Sequence, residues 1–173
     1  LLEIPRESIC VDFVPDTFGH NANVPEILTN AGIKYMYHCR GYNPPCIYKF
    51  MAPSGKEVIA YREYEWYNGE VTTNKLALVP GFCRESGMDT ALCVFGLGDH
   101  GGGPSRRDIE RIIEYRNWPL TPVIRFGTYR EFFEMIEERA DSLPVVQNEL
   151  NCLFTGCYTT QSRIKMANRI GEA

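Results

Sequence analysis

Two acidic residues stand just beyond apolar segments that we predict to be strands. Asp16 follows the Ile9–Val14 segment, and the intervening Pro15 cannot extend a strand ladder because it has no backbone N–H. Asp99 follows the Thr90–Leu97 segment in a similar way. Two carboxylates at one site suit the cleavage of a glycosidic bond, in which one attacks the anomeric carbon or activates water and the other protonates the leaving oxygen. Asp16 and Asp99 are therefore candidate catalytic residues, and Asp16 could also bind a metal.

Each carboxylate also has an ordinary structural interpretation. Asp16 could cap the turn that follows it, since Asp accepts local hydrogen bonds from backbone N–H groups. Asp99 could be a solvated group on a mobile loop, because Gly101, Gly102 and Gly103 follow it closely. Three consecutive glycines are costly in chain entropy, however, and suggest a backbone that approaches a ligand or another segment. The spacing fits neither a dinucleotide-binding motif nor a P-loop. Both interpretations stay open at this point.

Further residue types extend the candidate site. Arg40 ends the predicted Lys34–Cys39 strand, and a guanidinium there would favour the ionised form of Asp16. A solvent-exposed strand end is the commoner place for Arg. Four aromatic residues that could stack on sugar faces or pack in a core lie close together in the sequence. They are Tyr61, Tyr64, Trp66 and Tyr67.

The histidines do not form a recognisable metal motif. His20, His38 and His100 lack the helical i, i+4 spacing of a ligand pair. A zinc site built from this chain alone would need them to converge from three separate loops. We expect them to act as ordinary hydrogen-bonding groups.

The elements that position these residues alternate between strands and helices. The predicted strands are Ile9–Val14, Lys34–Cys39, Tyr48–Met51, Glu57–Arg62, Thr90–Leu97, Pro122–Phe126 and Val145–Glu149. The predicted helices are Val24–Ala31, Leu76–Arg84, Ser105–Tyr115, Thr128–Arg139 and Thr160–Ile170. Pro53, Ser54 and Gly55 predict a hairpin between the third and fourth strands. The alternation predicts an α/β fold, specifically part of an irregular (β/α) barrel with parallel strands and outer helices. Residues 1–173 would form a single segment of one barrel domain, with function at the C-terminal ends of its strands.

Composition excludes several functional classes. The chain has 173 residues, of which 44% are hydrophobic and 23% charged, as expected of a globular domain rather than a disordered one. The net charge is only −4, and scattered Lys and Arg argue against nucleic-acid binding. No apolar run approaches the roughly 20 residues that span a bilayer, so we expect no membrane association. Seven cysteines without a C-x-x-C pair favour reduced thiols and a cytoplasmic location.

Three blocks of the sequence together resemble the α-mannosidases of glycoside hydrolase family 38. They occur in the family's order and span nearly the whole chain. The first comprises Pro15–His20, Pro25–Leu28 and Ala31–Ile33; the second is Gly98–Pro104; the third comprises Glu149–Asn151, Tyr158–Thr160, Lys165 and Asn168–Arg169.

The resemblance implies a role for each candidate residue. Asp16 would be both the nucleophile and a zinc ligand, and Phe18 would line the sugar site. Arg40 would contact the catalytic carboxylates, and Asp99 would be the acid/base residue. Glu149 would contact sugar hydroxyls. The implied activity is that of a zinc-dependent retaining α-mannosidase, which acts on mannose-containing oligosaccharides through a covalent mannosyl-Asp intermediate.

The resemblance also implies zinc ligands that this chain lacks. The family has a His-x-Asp pair before the nucleophile segment and a His beyond the third block. We therefore expect the chain to be a central part of a longer catalytic domain and inactive alone. Its uncovered strand edges and apolar faces predict that it either pairs with another copy or loses order near Leu1 and Ala173. The alternative is a non-catalytic carbohydrate-binding or structural module derived from the same barrel. A metal-dependent deacetylase is a weaker third possibility, since that chemistry needs several His and Asp ligands.

Overall fold

The computed structural model describes residues 3–41, 44–98, 102–151 and 161–173. Its strands are β1 (Val11–Val14), β2 (Tyr35–His38), β3 (Ile47–Met51), β4 (Glu57–Arg62) and β5 (Val145–Val146). Its α-helices are α1 (Val24–Asn30), α2 (Thr73–Ser86), α3 (Arg106–Tyr115), α4 (Tyr129–Glu137) and α5 (Ser162–Glu172). Short 3-10 turns cover Arg6–Ser8 and Ala140–Ser142. Within the described ranges, no helix has the length and apolar character needed to cross a membrane.

The strands form one mostly parallel sheet in the order β1-β2-β4-β3-β5. β1, β2 and β4 run parallel, and their last residues, Val14, His38 and Arg62, stand side by side in register. β3 is antiparallel to β4 and parallel to β5. The predicted hairpin between β3 and β4 is confirmed, and its Gly55 has a φ of +87° that favours glycine. The carboxyl ends of three neighbouring strands therefore share one edge of the sheet.

Helices cover both faces of this sheet. On one face, alternate strand residues such as Tyr37 and Tyr61 pack against Phe82 of α2 and Phe133 of α4. On the other face, the intervening residues pack with Leu28 of α1 and with Leu150; they are Met36, Val58 and Ala60 from β2 and β4, and Tyr48 and Phe50 from β3. Both faces of the central strands β2 and β4 are buried, and their buried residues are consecutive rather than alternating. The described residues show an open sheet of five strands, and a barrel stays a prediction.

Two predicted strands are wrong. Residues 90–97, all described, form no strand, and their ladder contact is a single isolated bridge from Gly96 to Gly69. Their apolar side chains pack against two different cores. Leu92 packs against the core on the sheet, and Phe95 packs against a cluster around α3. Residues 122–126 also form no strand, since Pro122 offers no N–H and Val123 is 94% exposed.

A capping box begins α4. The Thr128 side chain accepts a hydrogen bond from the Glu131 backbone N–H, and the Glu131 carboxylate accepts one from the Thr128 N–H. The same reciprocal arrangement joins Ser105 and Asp108 at the start of α3. These capping boxes fix where both helices begin, and so which residues α4 turns toward the sheet.

Candidate active site

Asp16 and Arg40 meet at the carboxyl edge of the sheet. Each lies two positions beyond its strand, and β1 and β2 pair in parallel with Val14 opposite His38. The ladder continues past the strand ends, because the Cys39 N–H donates to the Pro15 carbonyl over 3.1 Å. This register places Arg40 beside Asp16, and its Nε donates to Asp16 Oδ1 in an ion pair. The Asp16 side chain remains 49% exposed, so a ligand could still reach it.

Aromatic rings flank the Arg40 guanidinium. Its Cζ atom lies 4.7 Å from the centroid of the Phe18 ring and 5.1 Å from the centroid of the Trp66 ring. Both distances are within the range of cation–π attraction. The sequence predicted Phe18 at this site, whereas it placed Trp66 only in an aromatic cluster of open role.

A hydrogen bond from the His38 side chain fixes the backbone of Arg40. The His38 side chain is fully buried, with Nδ1 2.8 Å from the Arg40 carbonyl oxygen and Nε2 2.8 Å from the Tyr48 hydroxyl. Since a carbonyl only accepts, Nδ1 carries the proton and Nε2 accepts from Tyr48. Burial lowers the pKa of His38 to about 3, so the ring is neutral over most of the pH range. His38 acts as the ordinary hydrogen-bonding group that the sequence suggested.

Glu149 is held against the segment that follows β1. Its carboxylate accepts a hydrogen bond from the Asn21 side-chain amide over 3.3 Å, and the next N–H, from Leu150, donates to the His20 carbonyl over 3.1 Å. Gly41 allows the chain around Leu150 to pack this closely. Its φ is +127°, and a Cβ there would lie only 3.2 Å from the Leu150 carbonyl oxygen. The structure thus brings Glu149 to the chain segment just after Asp16 and Phe18.

A buried carboxyl group that the sequence analysis missed lies at the same edge. Glu63 directly follows β4, is 2% exposed and accepts a hydrogen bond from the Tyr37 hydroxyl over 2.7 Å. Its backbone N–H donates to the His38 carbonyl over 2.8 Å, which extends the pairing of β2 with β4. Burial raises the pKa of Glu63, and hydrogen bonds, first that from Tyr37, oppose the rise. The rule that function follows parallel strands could have identified it.

Asp99 lies outside the described residues. The premise that placed it beside Asp16, a preceding parallel strand, does not hold, because residues 90–97 form none. Its assignment as the acid/base residue therefore rests on the resemblance alone and stays a prediction.

The described residues do not by themselves fit a zinc ion. Zinc sites use about three or four protein ligands. No three His, Cys, Asp or Glu side chains in the described part of the chain stand close enough together to hold a metal. Asp16 offers one carboxylate, already engaged by Arg40.

A carboxylate, a guanidinium and aromatic rings at the carboxyl edge of parallel strands define a polar ligand site of the kind found in α/β enzymes. Residues 6–149 match the N-terminal domain of glycosyl hydrolases family 38, and the chain belongs to this family.

Several known proteins are similar to the chain. Alpha-mannosidase G from Dictyostelium discoideum is 27% identical over 169 residues, and alpha-mannosidase 2C1 from Homo sapiens is 26% identical over 171 residues. These matches cover 92% and 93% of this chain but 16% of each relative, so the chain spans about one sixth of their length. A crystal structure of an alpha-mannosidase from Enterococcus faecalis V583 matches with a TM-score of 0.58 and 18% identity. It covers 81% of this chain and 18% of that one, and it supports the fold.

Proposed function

We propose that the full-length protein is a retaining α-mannosidase that hydrolyses terminal α-mannosides in mannose-containing oligosaccharides. Family membership and the names of the relatives support this activity. The observation that carries it is the ion pair of Asp16 with Arg40 at the carboxyl edge of the sheet, inside the matched region.

The proposed chemistry has two steps. The Asp16 carboxylate attacks the anomeric carbon while the bond to the leaving oxygen breaks, and Asp99 gives its proton to that oxygen. The result is a covalent mannosyl–Asp16 ester. Water then attacks the same carbon, Asp99 removes a proton from the water, and mannose leaves with its original configuration as Asp16 is released. Arg40 orients Asp16, while Phe18 and Glu149 would contact the sugar.

Zinc and the cytoplasmic location remain predictions for the full-length protein. Asp16 would supply one zinc ligand, and the others would come from outside the described residues. The five described cysteines are free thiols, which is compatible with a reducing compartment.

The test is turnover of an aryl α-mannoside by the full-length protein, with and without a chelator. We expect turnover by the wild type, loss of several orders of magnitude in Asp16→Asn, and no change in Asp141→Asn, which alters an exposed carboxylate elsewhere. Loss of turnover with the chelator would support zinc, whereas insensitivity would refute it. A folded but inactive wild type would favour the alternative, a carbohydrate-binding or structural module.

The same assay can test Asp99 through a series of leaving groups. Asp99→Ala should slow substrates with poor leaving groups most, because those depend on protonation of the leaving oxygen. If all substrates were turned over as fast as by the wild type, another residue would be the acid, although the family assignment would stand.

A further inference from the structure

We propose that Trp66 is a positioning residue: its ring fixes the plane of the Arg40 guanidinium, and thereby orients Asp16 for attack. This inference rests on the proposed function and adds a residue to it. The centroid of the Trp66 ring lies 5.1 Å from Arg40 Cζ, and the same ring contacts Tyr67, with centroids 5.0 Å apart. Asp16, in contrast, touches the reacting carbon in the proposed chemistry.

The fold explains how Trp66 reaches Arg40. The Glu63 N–H donates to the His38 carbonyl, so the chain leaving β4 stays against the end of β2. The buried Glu63 carboxylate, bonded to the Tyr37 hydroxyl, anchors that chain from inside. Trp66 follows three positions later, at the edge where Arg40 emerges. Trp66 therefore lies on a segment that is hydrogen-bonded to the end of β2, the strand that precedes Arg40.

The geometry also explains what the ring adds. Arg40 Nε donates to Asp16, and this bond directs the carboxylate only while the guanidinium keeps its plane. A long Arg side chain has many rotamers, and aromatic contacts from Phe18 and Trp66 restrict them. Phe18 is expected to contact sugar as well, so its removal would not separate the two roles. Trp66 is the better probe of positioning.

The experiment measures kcat and KM of the full-length protein for an aryl α-mannoside. Trp66→Leu should lower kcat about two- to fivefold, as expected for a lost cation–π contact of an exposed ring, and leave KM nearly unchanged. Trp66→Phe should recover most of the loss, because it keeps a ring. Trp118→Leu is the matched control, since Trp118 is 43% exposed against 39% for Trp66 and contacts Tyr115 instead.

A double-mutant cycle separates positioning from a general structural effect. If Trp66 acts through Arg40, Trp66→Leu should have little further effect on kcat in an Arg40→Met background, which removes both the charge and the guanidinium plane. Equal losses in both backgrounds, or a rise in KM with kcat unchanged, would overturn the inference, and so would wild-type kcat in Trp66→Leu. Absence of turnover in the wild type would instead refute the proposed function, and the inference with it.

Discussion

Arg40 is the residue on which the candidate site converges. Its Nε bonds Asp16, its guanidinium contacts the rings of Phe18 and Trp66, and its carbonyl accepts a hydrogen bond from His38. A planar guanidinium can donate within its plane while its faces contact aromatic rings. A Lys ammonium offers no such plane, so Arg40→Lys would keep the charge and lose the geometry.

The buried His38 predicts a pH dependence of stability. Its pKa is about 3 in the folded chain and about 6.5 when unfolded. Between these values the unfolded chain binds a proton that the folded chain does not, so the free energy of unfolding falls as pH falls. This one group contributes a slope of up to about 1.4 kcal/mol per pH unit. Urea unfolding between pH 7 and pH 4 measures it.

The comparison variant is His38→Gln, which keeps a donor and an acceptor but does not titrate. Burial also lowers the pKa of His20, and carboxylates titrate in the same range, so only the difference between wild type and variant reports His38. We expect the stability of the wild type relative to the variant to decrease on acidification. If stability fell equally with pH in the wild type and the variant, His38 would bind its proton as readily in the folded chain as in the unfolded chain.

Among the residues of the site, the sequence correctly predicted those whose positions follow from the parallel register of β1 and β2. Asp16 and Arg40 are 24 residues apart, the same offset as the β1–β2 register, so two correctly predicted strands suffice to bring them together. Trp66 and Glu63 were not assigned, because their roles depend on how the chain turns after β4. Such a turn depends on tertiary bonds, such as that from Tyr37 to Glu63, which carry no local pattern.

Among the elements, α4 links a local sequence motif to the main core. Its capping box begins the helix at Tyr129 and places Phe132, Phe133 and Ile136 against the sheet. Removing the cap leaves a backbone N–H of the first turn without its side-chain acceptor.

Thr128→Ala should therefore lower the free energy of unfolding by about 1 kcal/mol, the usual cost of losing such a cap. Thr128 is exposed, so the loss would not come from core packing. Thr128→Ser keeps the hydroxyl and serves as the control. Urea midpoints at equal slope would measure both, and an Ala variant as stable as the Ser variant would show that the cap contributes nothing.

The failed strand predictions show where local pattern stops being informative. An apolar run predicts burial, and residues 90–96 are indeed partly buried, with side chains packed against two cores. Strand formation further requires a neighbouring chain that offers backbone partners in register. Only the Gly69–Gly96 bridge supplies one among the described residues. The helices were predicted better, because their caps and periodicity are local properties.

In the described part of the molecule, the sheet ends at β1, an edge strand of four residues. β1 pairs with β2 on one side and with no other described strand, while its neighbour Ile9 is 52% exposed. An unpaired strand edge beside apolar side chains favours association with another chain. The relatives are far longer than this chain, so in a protein of their length other segments can cover the same edge.

We therefore expect residues 1–173, produced alone, to self-associate through the β1 edge. Light scattering over a concentration series should show an average mass that rises above the monomer. Ile9→Lys places a charge beside this edge and should shift the mass toward the monomer, because edge charges oppose strand pairing. Ile27→Lys alters a residue that is 65% exposed on α1 and should have no such effect. A monomer mass at every concentration would refute the prediction, and equal effects of both variants would show that general surface hydrophobicity, not the β1 edge, drives association.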